Sequence, residues 1–109
     1  MIVALTGASG VCYGVRILDL LREAGYETHL VLSKAAERTL HEEMDITVKH
    51  VKSLADVVYP VQDIGAAIAS GSFITSGMII APCSIKTMGE IATGITSSLV
   101  SRAADVVLK

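Results

Sequence analysis

Tryptophan is absent from this sequence, phenylalanine occurs once, and proline and cysteine occur twice each. With aromatics at 4%, the chain lacks the side chains of a base-stacking platform. Neither charge sign dominates: nine basic and eleven acidic residues leave a formal charge of −2. That balance offers no electrostatic claim on nucleic acid or on an anionic membrane as partner. Cys12 and Cys83 lie far apart and fit no metal-ligand spacing, so they read as two reduced thiols. Long apolar runs are missing too. "MIVAL" has no basic leader, and "GMIIAPC" is too short to span a bilayer. These absences lead us to expect a soluble, cytoplasmic, metal-free chain.

What is present is a compact apolar composition, 51% hydrophobic and 18% charged. A length of 109 residues predicts one domain, 1–109, with room for a single core. Ile2–Leu5 opens on the β-branched Ile2 and Val3 and is apolar without alternation, as in a strand buried on both faces. Val11, Val15, Leu18 and Leu21 follow at helical spacing, and Gly25 reads as the stop. "ETHLVLS" predicts a second strand, and Ser33 is placed to cap the helix "KAAERTLHEEM". "DITVKHVKSLA" reads as a short helix after an Asp or Thr cap, and "DVVYP" as a short strand stopped by Pro60. "DIGAAIASG" suggests a close-packed helical turn. "GMIIAPC" suggests another buried strand, with helices over "SIKTMGEIATG" and "SSLVSRAADVVLK". Strands alternating with helices predict an α/β fold with a parallel sheet covered on both faces. The helical pattern runs to Lys109 without a stop signal, so we expect the N-terminal part of a longer domain.

Three strand ends carry small polar residues followed at once by a helix: "TGASG", "LSKAA" and "PCSIKT". In open α/β sheets, ligands sit beyond such strand ends, where helix N-termini favour anions. Three of them meeting at one edge would form a phosphate-binding crevice. The spacing of Gly7, Gly10 and Gly14 is not the dinucleotide GxGxxG, and no P-loop lysine follows. The plainer alternative is that Gly7 and Gly10 turn the chain while Ser9 caps the next helix. Ser33 and Ser84 also suit simple caps, Lys86 a solvated side chain, and Arg102 an ion pair with Asp105. His29, His41 and His50 show no partner at suggestive spacing, and Cys83 reads as a small hydrophobe.

Taken in order, "TGASGVCYGVRIL", "ETHLVLSKAA", "ASGSF", "GMIIAPCSIKT" and "RAADVVLK" resemble the UbiX-type flavin prenyltransferases. These were formerly described as aromatic or phenylacrylic acid decarboxylases of the flavoprotein decarboxylase superfamily. The resemblance implies a flavodoxin-like Rossmann three-layer sandwich that binds FMN. It implies contacts to the flavin from Gly7, Ala8, Ser9, Ser33, Ser84, Ile85, Lys86, Thr87 and Arg102. Ser9 would be catalytic, beside flavin N5, and Ser70, Gly71 and Lys109 would lie near the phosphate of the prenyl donor. The implied reaction joins a dimethylallyl group from dimethylallyl phosphate to reduced FMN, without a metal. The product, prenylated FMN, would serve a UbiD-type decarboxylase. Homo-oligomers, commonly dodecamers built from trimers, are implied as well. Relatives of this type continue past "VVLK" with further catalytic and phosphate-binding residues. Two alternatives share the cofactor: an FMN-binding B subunit of a hydroxyarylic-acid decarboxylase, and a cysteine-type flavoprotein decarboxylase. The latter needs a catalytic His motif and an Asn-containing replacement for "PCSIKT", and neither is evident here.

Overall fold

The computed structural model describes residues 1–109. Strand β1 (Ile2–Leu5) leads to helix α1 (Val11–Glu23), β2 (His29–Leu32), α2 (Lys34–Met44), α3 (Val48–Ser53) and β3 (Val57–Tyr59). A 3₁₀ turn at Ala67–Ala69 precedes β4 (Met78–Ile80), α4 (Ile85–Thr93) and α5 (Leu99–Leu108). The four strands form one parallel sheet in the order β3-β2-β1-β4. The order runs outward from β1 to β3 and then reverses to the other side of β1. That reversal leaves a switch point between β1 and β4. No helix is long and apolar enough to cross a membrane.

Alternate residues of β1 feed two cores, which is the physical basis of the three-layer arrangement. Val3 and Leu5 pack with Val11, Val15, Leu18 and Leu40 beneath α1 and α2. Ile2 and Ala4 pack on the opposite face with Ile68, Leu99, Val100 and Ala103. Hydroxyl caps start the later helices where the sequence placed them. Ser33 Oγ accepts from Ala36 N, and Thr47 Oγ1 accepts from His50 N, both at 3.0 Å. Gly25 adopts φ 84°, the left-handed conformation that ends α1.

Two expectations need correction. β4 is not a fully buried strand: all three of its residues are half-buried, because it forms the sheet edge with a neighbour on one side only. His29 does have partners. It is buried, with Nε2 at 2.7 Å from Glu27 Oε1 and Nδ1 at 2.9 Å from the Tyr59 hydroxyl. Glu27 lies two residues earlier, just before β2, and Tyr59 arrives from the adjacent strand β3.

A reciprocal clasp joins the starts of β2 and β3. Asp56 Oδ2 accepts from Thr28 N at 2.7 Å and from Thr28 Oγ1 at 3.3 Å, and Asp56 N donates back to Thr28 Oγ1. The Thr28 backbone bond holds the Asp56 carboxyl below the ordinary aspartate value. A depressed carboxyl stabilises the fold above its unfolded value, near pH 4, and that contribution is lost as pH falls further. Asp56→Asn should therefore lower the thermal midpoint at pH 7. The difference from wild type should close as both are titrated toward pH 2.

Candidate functional site

The C-terminal ends of β1, β2 and β4 converge at the switch point, where a cavity of about 370 Å³ opens. Thr6 and Gly7 enter from the end of β1, Ser33 and Lys34 from the start of α2, and Ser84, Lys86 and Thr87 from the start of α4. Glu90 and Ser98 line it as well, from the second turn of α4 and the cap of α5. Ser84 Oγ accepts from Thr87 N at 3.2 Å and donates to Thr87 Oγ1 at 2.9 Å. The first-turn N–H groups of α2 and α4 have no intrahelical acceptor, and both macrodipoles point their positive ends here. Hydroxyls, two helix N-termini and two lysines make a donor set suited to a phosphate and a polyol.

Thr6 holds this edge together. It is 2% exposed; its Oγ1 donates to the Pro82 carbonyl at 2.7 Å and accepts from Ser84 N at 2.7 Å. Its backbone N–H also donates to Pro82 O at 3.1 Å, so one residue fixes the loop that starts α4. Thr6→Val keeps the shape but leaves the Ser84 N–H without its acceptor. A loss of about 1–3 kcal/mol is expected in denaturant unfolding.

Close approach explains Gly7. A Cβ there would lie 2.2 Å from the Ala35 Cβ, so only glycine lets the β1–α1 loop reach the start of α2.

The third expected anion site is already filled. At α1, Glu43 Oε1 accepts from Gly10 N at 3.2 Å and from Val11 N at 3.4 Å. A carboxylate from the last turn of α2 thus satisfies this helix start, and two N-termini rather than three face the cavity. The capping role considered for Ser9 also falls away. Gly10, at φ 95°, is the cap residue without a side-chain bond, and Ser9 is exposed in the loop before it. Sequence reasoning missed Glu43, which lies 33 residues from Gly10 and carries no local signal.

The remaining expected residues divide clearly. Gly7, Ser33, Ser84, Lys86 and Thr87 line the cavity, and Ala8 and Ser9 follow Gly7 in the β1–α1 loop but lie outside the lining. Ile85 is 78% exposed on α4 and outside the cavity lining. Arg102 is exposed on α5 and also outside the lining, while Asp105 pairs with Lys109 at 3.0 Å, not with Arg102. Ser70 and Gly71 gather with Ile2, Val106 and Val107 at the opposite, N-terminal edge of the sheet. Cys12 and Cys83 are free thiols, and desolvation pushes the Cys83 thiol up, away from the reactive thiolate.

A doubly covered parallel sheet with a polar crevice at its switch point defines a class of nucleotide-binding α/β proteins. Within that class, the family model described as Flavoprotein matches residues 1–109, and the chain belongs to this family. Its relatives include the flavin prenyltransferase UbiX of Escherichia coli K12, 54% identical over 110 residues, covering 100% of this chain and 58% of that protein. UbiX of Thauera aromatica is 50% identical over 109 residues, covering 100% of this chain and 56% of that protein. The crystal structure of AnUbiX in complex with FMN and dimethylallyl pyrophosphate matches with a TM-score of 0.97 at 47% identity. That match covers 98% of this chain and 57% of AnUbiX. A dodecameric FMN-dependent UbiX-like decarboxylase from Escherichia coli O157:H7 matches with a TM-score of 0.95 at 49% identity, over 98% of this chain and 59% of that one. The chain therefore spans less than two thirds of the length of these relatives.

Proposed function

We propose that this chain is the FMN-binding part of a cytoplasmic flavin prenyltransferase, which joins a dimethylallyl group to reduced FMN. The observation that carries the reading is the phosphate- and polyol-suited cavity at the ends of β1, β2 and β4. It is supported by 54% identity to a UbiX across the whole chain. In this reading Gly7, Ala8, Ser33, Ser84, Ile85, Lys86, Thr87 and Arg102 are the flavin contacts. Among them, Gly7, Ser33, Ser84, Lys86 and Thr87 have the direct support of lining one cavity. Bound reduced FMN would supply the nucleophilic ring positions that take the prenyl group from dimethylallyl phosphate.

The chain's own residues bind, orient and handle protons. The hydroxyls of Ser33, Ser84 and Thr87 and the N-termini of α2 and α4 hold the phosphate and the polyol. Ser9, exposed in the β1–α1 loop two residues past Gly7, is free to hold a proton on its Oγ where the new bond forms. The Glu43 carboxylate, bonded to the N–H of the next residue, is an acceptor poised at the same loop. Ser70, Gly71 and Lys109 are read as contacts to the donor phosphate. They belong to the sheet edge away from the cavity, so they would serve a neighbouring copy in a homo-oligomer of the dodecameric kind. A UbiD-type decarboxylase is the proposed recipient of the product.

The test is anaerobic incubation of the intact protein with reduced FMN and dimethylallyl phosphate, with the pyrophosphate ester in parallel. The flavin mass should rise by one prenyl unit with one of the two donors. A flavin unchanged in mass with both donors would overturn the assignment.

A further inference from the structure

Glu90 is the one carboxylate lining a cavity whose other polar groups are hydroxyls, backbone and two lysines, with Ala35, Val61 and Val100 as its apolar wall. Its side chain is only 12% exposed. Ser97 Oγ donates to Oε1 at 2.8 Å, which fixes the head group one helical turn beyond Thr87. The hydroxyls of Ser97 and Ser101 hold its carboxyl below the ordinary glutamate value, so it is ionised at neutral pH. Lys86 does not cancel this charge. Its ammonium is 4.0 Å away and 83% exposed, where water and salt screen the pair. The cavity is therefore polarised: Ser33 and the α2 N-terminus form an end made only of donors, while Glu90 sets an acceptor beside the donors of α4 at the other.

We infer that Glu90 selects the ligand's orientation, accepting a hydrogen bond from a polyol hydroxyl and keeping the phosphate at the α2 end. The carboxylate is an acceptor only, so it rewards a hydroxyl and repels a phosphate. A flavin carrying one terminal phosphate on a ribityl chain satisfies both ends at once. This inference rests on the flavin reading of the cavity and adds to it a residue that sets selectivity.

Affinities for FMN and riboflavin, measured by quenching of flavin fluorescence on the intact protein, separate the two effects. Glu90→Gln keeps the shape and the Ser97 contact but removes the charge. Riboflavin should then bind about tenfold more weakly, for loss of a charge-assisted bond. FMN should weaken less, because phosphate repulsion is lost together with that bond. The ratio of FMN to riboflavin affinity should thus rise several-fold in Glu90→Gln and Glu90→Ala, and stay near wild type in Glu90→Asp. A purely structural role would lower stability and leave the ratio unmoved. An unchanged ratio in both neutral variants, with wild type binding FMN, overturns the role of Glu90 alone. Failure of wild type to bind FMN would instead overturn the flavin reading.

Discussion

Ser9→Ala is expected to slow prenyl transfer on the order of 10²-fold or more, with FMN still bound and the thermal midpoint unchanged. The combination is informative because a cap would behave otherwise. Removing a serine cap costs about 1 kcal/mol of stability, and Ser9→Asp would then restore it. Here the α1 start is served by Glu43, and Ser9 is exposed in the preceding loop. The hydroxyl therefore has no structural duty that the alanine variant would lose. Turnover, FMN affinity and melting should be measured on one preparation. Near-normal turnover with bound FMN would return Ser9 to the status of a loop residue.

Gly14→Ala is expected to damage the fold itself, by about 3 kcal/mol in denaturant unfolding. A Cβ at this position would lie 2.1 Å from the Ala81 carbonyl oxygen and 2.6 Å from Leu5 Cγ. The first of these is backbone, so no side-chain rotation relieves it. Helix α1 would have to move away from β1 and from the β4–α4 loop that carries Ser84. FMN affinity should fall together with stability, since that loop supplies the cavity's α4 wall. An alanine variant as stable as wild type would show that α1 does not sit against the strand ends as described.

The parts of the fold legible in the sequence are those set by local chemistry. The apolar run Ile2–Leu5, the caps Ser33 and Thr47, and the stop at Gly25 each act within a few residues. The convergence of "TGASG", "LSKAA" and "PCSIKT" was legible as well, because parallel α/β topology brings successive strand ends to one edge. What stayed hidden depends on distant pairings. Glu43 at the α1 N-terminus, Tyr59 on His29, and Thr6 against Ser84 all join residues far apart in sequence. Ser70 and Gly71 were grouped with the site by resemblance, yet one chain places them at the opposite sheet edge. Glu90 looks like an ordinary exposed helix position until Ser97 and the cavity are seen around it.

Hydrogen–deuterium exchange of the intact protein with and without FMN tests the central claim most directly. If the flavin phosphate and polyol occupy the cavity at the switch point, FMN should slow exchange in three separate segments. These are the β1–α1 loop from Thr6, the start of α2 from Ser33, and the start of α4 from Ser84. Protection should appear in all three together and saturate at one FMN per chain. Saturable FMN binding that leaves these three segments unprotected would contradict the account.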